Sequence, residues 1–325
     1  MSLTYNILWV DDRKEDYQDA ELDIELKKYL QDNFFTPNII MCETVDTAEQ
    51  FLNNTKFDVI FSDYNITEEK KGNIFISDIR ARNINTEILF YSAQKELPIS
   101  DFNRVTFCKL DSEKGYDELL SNMKNLINLT LEKLNDLTNL RGLVISEVSE
   151  LENKMVEILL KYFKTSDPQI NKNRREEFDL QILTPVENEN KSKLINCPID
   201  KNIETTDERP CKSIHRQTDI TQIITDPDFG SFKKANSMKL VLANYNTPRI
   251  EKLFNKFSFT IIQERNKLAH SSTKIKDGLE VLITKSGDKI YDQNEIKKLR
   301  KHIKEYDSLF NEILEKVLQE PYAIS

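Results

Sequence analysis

Long apolar runs are missing from this chain of 325 residues. No stretch approaches the roughly eighteen residues that a membrane span needs, so no membrane partner is expected. Met1 to Asn6 is too short and too polar to serve as a secretory leader, and a cytoplasmic location is expected. Cysteine is scarce, with four in the whole chain. Their scatter gives no disulfide framework, which suits a reducing compartment. Cys197, Cys211 and His215 have thirteen and three residues between them. Zinc sites show paired close ligands, so these three are read as ordinary loop positions. There is no internal repeat, and the second half lacks a helix-turn-helix that would point to DNA.

The composition, 38% hydrophobic and 31% charged, is that of a soluble globular protein, and the length suggests two domains. Charge is unevenly divided. Residues 1–130 hold 14 basic against 24 acidic side chains, whereas the remainder holds 32 against 31. The acidic front part is a poor nucleic-acid surface; the near-neutral back part can still carry basic stripes.

Four short apolar segments end in chemistry-bearing residues. Phe57 to Phe61 runs through Ser62 into Asp63; Ile7-Leu8-Trp9-Val10 runs into Asp11-Asp12; Ile88 to Tyr91 runs into Ser92; Val105 to Cys108 runs into Lys109. Each reads as a buried parallel strand delivering its last residue to the C-terminal sheet edge, where open α/β sheets bind ligands. Three carboxylates so close call for a cation, and Mg²⁺ is the hard ion that takes carboxylates together with phosphate oxygens. Helices are predicted over Glu15–Asn33, Thr47–Asn53 and Asn73–Arg82, so the alternation predicts a doubly wound parallel sheet of α/β class.

This ordered set of residues resembles the receiver domain of two-component response regulators over roughly the first 130 residues. The resemblance implies Asp63 as phosphoacceptor, Asp11, Asp12 and Asp63 with the Asn65 carbonyl as Mg²⁺ ligands, and Ser92 and Lys109 as the pair that holds the phosphoryl oxygens. It also implies a histidine kinase or other phosphodonor as partner and a five-stranded sheet. The chain departs from the family where Thr67 and Leu110 stand near its usual prolines and Thr106 replaces an aromatic switch residue. Only sixteen residues separate Ser92 from Lys109, so the fourth helix is expected to be short or missing.

From Tyr116 the apolar spacing turns helical. Leu119, Leu120, Met123, Leu126, Ile127, Leu131, Leu134 and Leu137 form a stripe that suits either core or a dimer seam, and a second helix is predicted from Leu140 to Tyr162. Residues 166–235 hold five of the nine prolines and read as a loop-rich insertion with β-like pieces at Phe178–Leu183 and Ile220–Thr225. Helices return at Ser237–Tyr245 and Arg249–His270, followed by a β-hairpin over 278–291. Asp292 then caps a last helix running to Gln319, which carries the basic run Lys297-Lys298-Leu299-Arg300-Lys301.

Glu264-Arg265-Asn266-Lys267-Leu268-Ala269-His270, at the end of a helix, resembles the Arg-x4-His motif of HEPN domains, helical bundles found in many prokaryotic ribonucleases. The resemblance covers roughly residues 139–325, with Ser271 where a glycine often follows the histidine. It implies Arg265, Asn266 and His270 as catalytic residues. Asn266 and His270 share a helix face, while Arg265 lies about 140° from His270. One helix therefore assembles the site poorly, and a homodimer is expected. His270 suits proton transfer near neutral pH and Arg265 suits a scissile phosphate. The sequence thus predicts a receiver-like domain over 1–130 and a mainly α-helical output domain over 131–325, with the insertion at about 166–235. The expected activity is a receiver-controlled, metal-independent endoribonuclease acting on RNA. The alternative is a noncatalytic signalling module whose helical domain binds a protein or nucleotide.

Overall fold

The computed structural model describes residues 3–66, 72–93, 102–110, 115–165, 167–183, 219–227, 229–244, 254, 256–284 and 287–319. Thr67, the zinc-type residues Cys197, Cys211 and His215, and most of the stretch expected to hold a short fourth helix lie outside them. The chain divides into two compact units. The first comprises residues 1–143, 274–281 and 289–301; the second comprises 144–273, 282–288 and 302–325.

In the first unit, strands β1 (Thr4–Val10), β2 (Thr36–Cys42), β3 (Val59–Asp63), β4 (Glu87–Ser92) and β5 (Val105–Lys109) form one sheet in the order β2-β1-β3-β4-β5. Every pairing is parallel, in the doubly wound order whose direction of strand addition switches between β1 and β3. Central strands buried on both faces need apolar side chains on both, and β3 and β4 are buried throughout. On one face Leu8, Val10, Ile60, Ile88 and Phe90 pack with Val45, Ala48, Phe75, Ile76 and Ile79. The latter come from helices α3 (Val45–Asn54) and α4 (Gly72–Ala81). Thr44 caps α3, its hydroxyl accepting from the Thr47 amide at 3.3 Å.

The predicted first helix is two helices, α1 (Lys14–Asp19) and α2 (Leu22–Asp32), separated at Glu21, whose φ is 57°. Burial phase explains the break. Leu22, Leu26 and Leu30 form one buried stripe, whereas Tyr17 lies roughly 140° off it on an ideal helix. The change of path lets both Tyr17 and the leucines be buried. Helix α5 (Gly115–Asn135) packs over β3, β4 and β5 and against α2. Its stripe of Leu119, Met123, Leu126, Ile127 and Leu131 is buried within the chain. The feature that suggested a dimer seam is therefore core, and it no longer argues for a second subunit.

Helix α6 (Leu137–Phe163) is continuous, and α7 (Pro168–Phe178) runs on into a π-helical turn, Asp179–Leu183. With α8 (Ile220–Thr225), this corrects the two β-like pieces, which are helical. Capping overrides β-propensity here: Asp167 accepts from the Gln169 and Ile170 amides with Pro168 in the first turn, and Asp219 accepts from the Thr221 amide. Helix α9 (Ser231–Asn244) follows, and a π-helical turn, Ser258–Ile262, leads directly into α10 (Gln263–His270). A meander β6 (Thr273–Lys276), β7 (Leu279–Thr284), β8 (Gly287–Lys289) adds one strand to the predicted hairpin. Asp292 accepts from the Glu295 amide at 2.8 Å and starts α11 (Gln293–Gln319). One member of its basic run is internal. Arg300 is buried against the Phe35 ring, 4.7 Å from its centroid, and donates to Asn135 at 3.0 Å. In the second unit Phe254, Phe257, Tyr306 and Phe310 form one aromatic cluster, and Tyr162, Phe163, Phe178 and Phe229 another.

Glu147 on α6 is 5% exposed. Burial pushes its carboxyl up to about 7, with the charges of Asp307 and Glu150 acting in the same direction. The folded chain then holds a proton that the unfolded chain, near the ordinary value of 4.5, has released. Stability must fall as pH rises from about 4.5 to about 7 and stay low above it. Glu147→Gln cannot ionise and should be the more stable form at pH 8, by about 1–3 kcal/mol in urea unfolding. The gap should shrink at pH 5.5; an equal gap at both pH values would refute the buried-proton account.

Candidate functional site

Strand register assembles the acidic site. Val10 pairs with Ser62, so Asp11 and Asp63, each one residue further along, emerge side by side at the C-terminal edge of the sheet. Carboxylate oxygens of Asp11, Asp12 and Asp63 all lie within 4.8 Å of one another. Asp11 is 1% and Asp63 5% exposed, whereas Asp12 is open to solvent. Burial, and then the neighbouring Asp11 charge, push the Asp63 carboxyl up to about 6; the backbone amides of Asn65 and Tyr64 and the charge of Arg13 pull the other way. Asp11 is likewise raised by burial, opposed by its hydrogen bond from Tyr91. Two buried carboxylates whose ionisation is disfavoured, with a third at the solvent side, form a donor set of hard oxygens that fits a divalent cation such as Mg²⁺.

Around the acids lies a shell of aromatic hydroxyls that strand and helix patterns alone do not mark as part of a site. The Tyr91 hydroxyl donates to Asp11 Oδ2 at 2.5 Å and accepts from Trp9 Nε1 at 2.7 Å. The Arg13 amide donates to Asp11 Oδ1 at 2.8 Å. Tyr17, carried by α1, packs 5.1 Å from the Trp9 ring and 6.2 Å from Tyr91, centroid to centroid. Strand alternation held the available signal. Trp9, Phe61 and Tyr91 occupy the face on which Asp11 and Asp63 emerge, but their meeting depends on strand order.

Ser92 and Lys109 pair in register at the same sheet edge, one step beyond the pair Asp63 and Tyr91. Ser92 is buried, and its carbonyl accepts from the Leu110 amide at 2.9 Å. Lys109 is exposed, and among the described residues its ammonium makes no ion pair with Asp63. The cation whose charge acts on Asp63 is Arg13, which sequence reasoning missed. Asn65 follows the site in an exposed position, and its backbone amide bonds Asp63.

In the second unit, Arg265 is committed to internal partners. Its guanidinium bonds Glu152 Oε1 at 2.6 Å, the Ser231 hydroxyl at 2.8 Å and Asn266 Oδ1 at 2.9 Å. His270 is exposed three residues before β6, and the structure brings Arg265 and Asn266 together without placing His270 in their network. A groove of about 770 Å³ lies elsewhere in the first unit, lined by Glu132, Asp136, Leu279, Glu280, Ile290 and Asp292 among others. It shares no residue with either set. Among the described residues, no helix is long and apolar enough to cross a membrane.

No family model and no curated protein matches this chain. Solved structures do. A signal receiver domain of an HD domain-containing protein from Pseudomonas fluorescens Pf-5 is 15% identical, with a TM-score of 0.31 over 40% of this chain and 98% of that one. A Francisella response regulator receiver domain is 21% identical, with a TM-score of 0.30 over 39% and 99%. The response regulator TrrA from Thermotoga maritima, solved in complex with Mg²⁺-BeF, is 17% identical, with a TM-score of 0.30 over 38% and 99%.

Proposed function

We propose that the N-terminal α/β part is a phosphoacceptor receiver and that the helical remainder is its output. The observation that supports this most is the carboxylate cluster at the C-terminal edge of β1 and β3, with Asp63 in the next position to Asp11. Asp11, Asp12, the Asp63 carboxylate and the Asn65 carbonyl would hold Mg²⁺, which when bound withdraws charge from phosphoryl oxygens. An Asp63 oxygen attacks phosphorus in line. The bond from phosphorus to the donor atom breaks, and the electron pair leaves with the donor, a phosphohistidine imidazole or acetate. Ser92, from the neighbouring β4, and Lys109, from β5 one strand further out, would receive the transferred oxygens. Burial holds the Asp63 side chain in one place for that attack, which favours it over the exposed Asp12 as nucleophile.

Acetyl phosphate with Mg²⁺ should add one phosphoryl group per chain, read by intact mass, and excess EDTA should prevent it. An unlabelled wild-type chain would end the receiver reading.

For the output, the finer reading is a HEPN-like, metal-independent endoribonuclease working as a homodimer, with His270, Arg265 and Asn266 as its catalytic residues. It is supported by the solvent exposure of His270 and by the hydrogen bond that joins Arg265 to the adjacent Asn266. The Arg265–Glu152 pair adds a condition: a scissile phosphate must displace or share the Glu152 carboxylate. The competing reading, a noncatalytic domain that binds a protein or nucleotide partner, is favoured by the same pair, because it gives Arg265 a structural role.

A further inference from the structure

We infer that Tyr91 is a positioning residue for the metal site: its hydroxyl, oriented by Trp9, fixes the buried Asp11 carboxylate in the attitude that receives Mg²⁺. The inference rests on the receiver reading above and asks what makes this acidic site competent.

Hydrogen-bond chemistry alone sets the direction of the chain of groups. An indole N–H can only donate, so at 2.7 Å from Trp9 Nε1 the Tyr91 oxygen must be the acceptor. Its single hydrogen is then free for one partner, Asp11 Oδ2 at 2.5 Å. Asp11 Oδ1 is meanwhile held by the Arg13 amide at 2.8 Å. With a donor on each oxygen the carboxylate cannot rotate. The Tyr17 hydroxyl also hydrogen-bonds Asp11, and the lone pairs that remain are what Asp11 can offer on the side shared with Asp12 and Asp63. All three members are out of water, Trp9 and Tyr91 at 0% and Asp11 at 1% exposure. No solvent molecule stands ready to replace the phenol if it is removed. Packing leaves the phenol little choice of position, since Tyr17 lies edge-on to it and Trp9 beside both.

Groups that orient a metal ligand without touching the metal are commonly worth ten- to a hundredfold in metal affinity. Tyr91→Phe removes one oxygen and keeps the ring, so Mg²⁺ binding by the intact chain, measured by isothermal titration calorimetry, should weaken about tenfold or more. Trp9 is the sole tryptophan, and its fluorescence gives an independent reading of the same titration. Urea unfolding in EDTA will register the orphaned Trp9 N–H whatever the phenol does for the metal. The deciding number is therefore the Mg²⁺ dissociation constant of folded protein.

Should Tyr91→Phe not fold, Trp9→Phe is measured by calorimetry instead. It frees the phenol from its forced orientation and should weaken Mg²⁺ binding in the same direction, by about two- to threefold. A dissociation constant within error of wild type, in whichever variant folds, overturns the positioning role. A wild-type chain that binds no Mg²⁺ at all, while Asp63→Asn behaves identically, overturns the receiver reading itself, which separates the two failures.

Discussion

Asp63→Asn should take up no phosphoryl group from acetyl phosphate and Mg²⁺ under conditions where the wild-type chain takes up one. An amide has the size of the carboxylate but lacks a nucleophilic oxygen, so the loss should be complete. Asp63 is buried next to Asp11 in strand register, but the amide keeps the size of the carboxylate, so a lost fold is a poor explanation for that loss. Wild-type Asp63 has its carboxyl pushed up to about 6 by burial and by Asp11, so the native state without metal bears the strain of two facing carboxylates. Asparagine removes it. In EDTA the variant should therefore unfold at a urea concentration equal to or above that of wild type, the order of the gain being about 1 kcal/mol. With Mg²⁺ the ranking should reverse, because only the wild-type chain gains from the ion. Equal labelling of wild type and Asp63→Asn would place the acceptor elsewhere, with exposed Asp12 the first residue to test.

His270→Ala should abolish RNA cleavage while leaving stability within about 0.5 kcal/mol of wild type, because the imidazole is exposed and outside the Arg265 network. The attacking group in the proposed chemistry is the 2′-hydroxyl of the RNA. Products should end in 2′,3′-cyclic phosphate, DNA should be untouched and EDTA should not inhibit. General acid or base catalysis by His270 is worth roughly a hundredfold or more. Arg265→Ala should also abolish cleavage, at an additional cost in stability of about 1 kcal/mol, since it breaks a partly buried pair with Glu152 and the bond to Ser231. That contrast makes His270→Ala the cleaner variant. Cleavage that survives both substitutions would trace to a contaminating nuclease. Absence of cleavage by folded wild-type protein, phosphorylated or not, would leave a binding module as the output.

Much of the α/β part was legible because apolar run length and strand-end chemistry are local properties. Four segments ending in Asp11, Asp63, Ser92 and Lys109 mark β1, β3, β4 and β5 in the sequence, and β3 and β4 are buried along their whole length, as apolar runs require. Local capping chemistry likewise started α11 at Asp292. The stripe of α5 was correctly read as helical, but pattern alone cannot distinguish an apolar face covered by the same chain from one covered by another copy. Contact with β3, β4, β5 and α2 decided it. The two β-like pieces failed for a different reason: Phe178–Leu183 continues the helix that starts at Asp167, and Asp219 caps Ile220–Thr225, where a cap outweighs the few tenths of a kcal/mol by which β-branched residues disfavour helix.

What the sequence determined by itself was which residues stand at the ends of strands and the chemistry they can perform, because alternation and apolar run length are set by consecutive side chains. Which of those ends meet was decided only by the tertiary structure. The order β2-β1-β3-β4-β5 sets Asp11 beside Asp63 and leaves Lys109 at the far edge. The same order brings the Tyr91 hydroxyl, from a strand 80 residues away in sequence, onto the Asp11 carboxylate. Arg265 and Glu152, 113 residues apart, meet for the same kind of reason. Burial makes an unpaired charge costly, so folding selects whichever distant partner the topology brings within reach, and no local pattern records that choice.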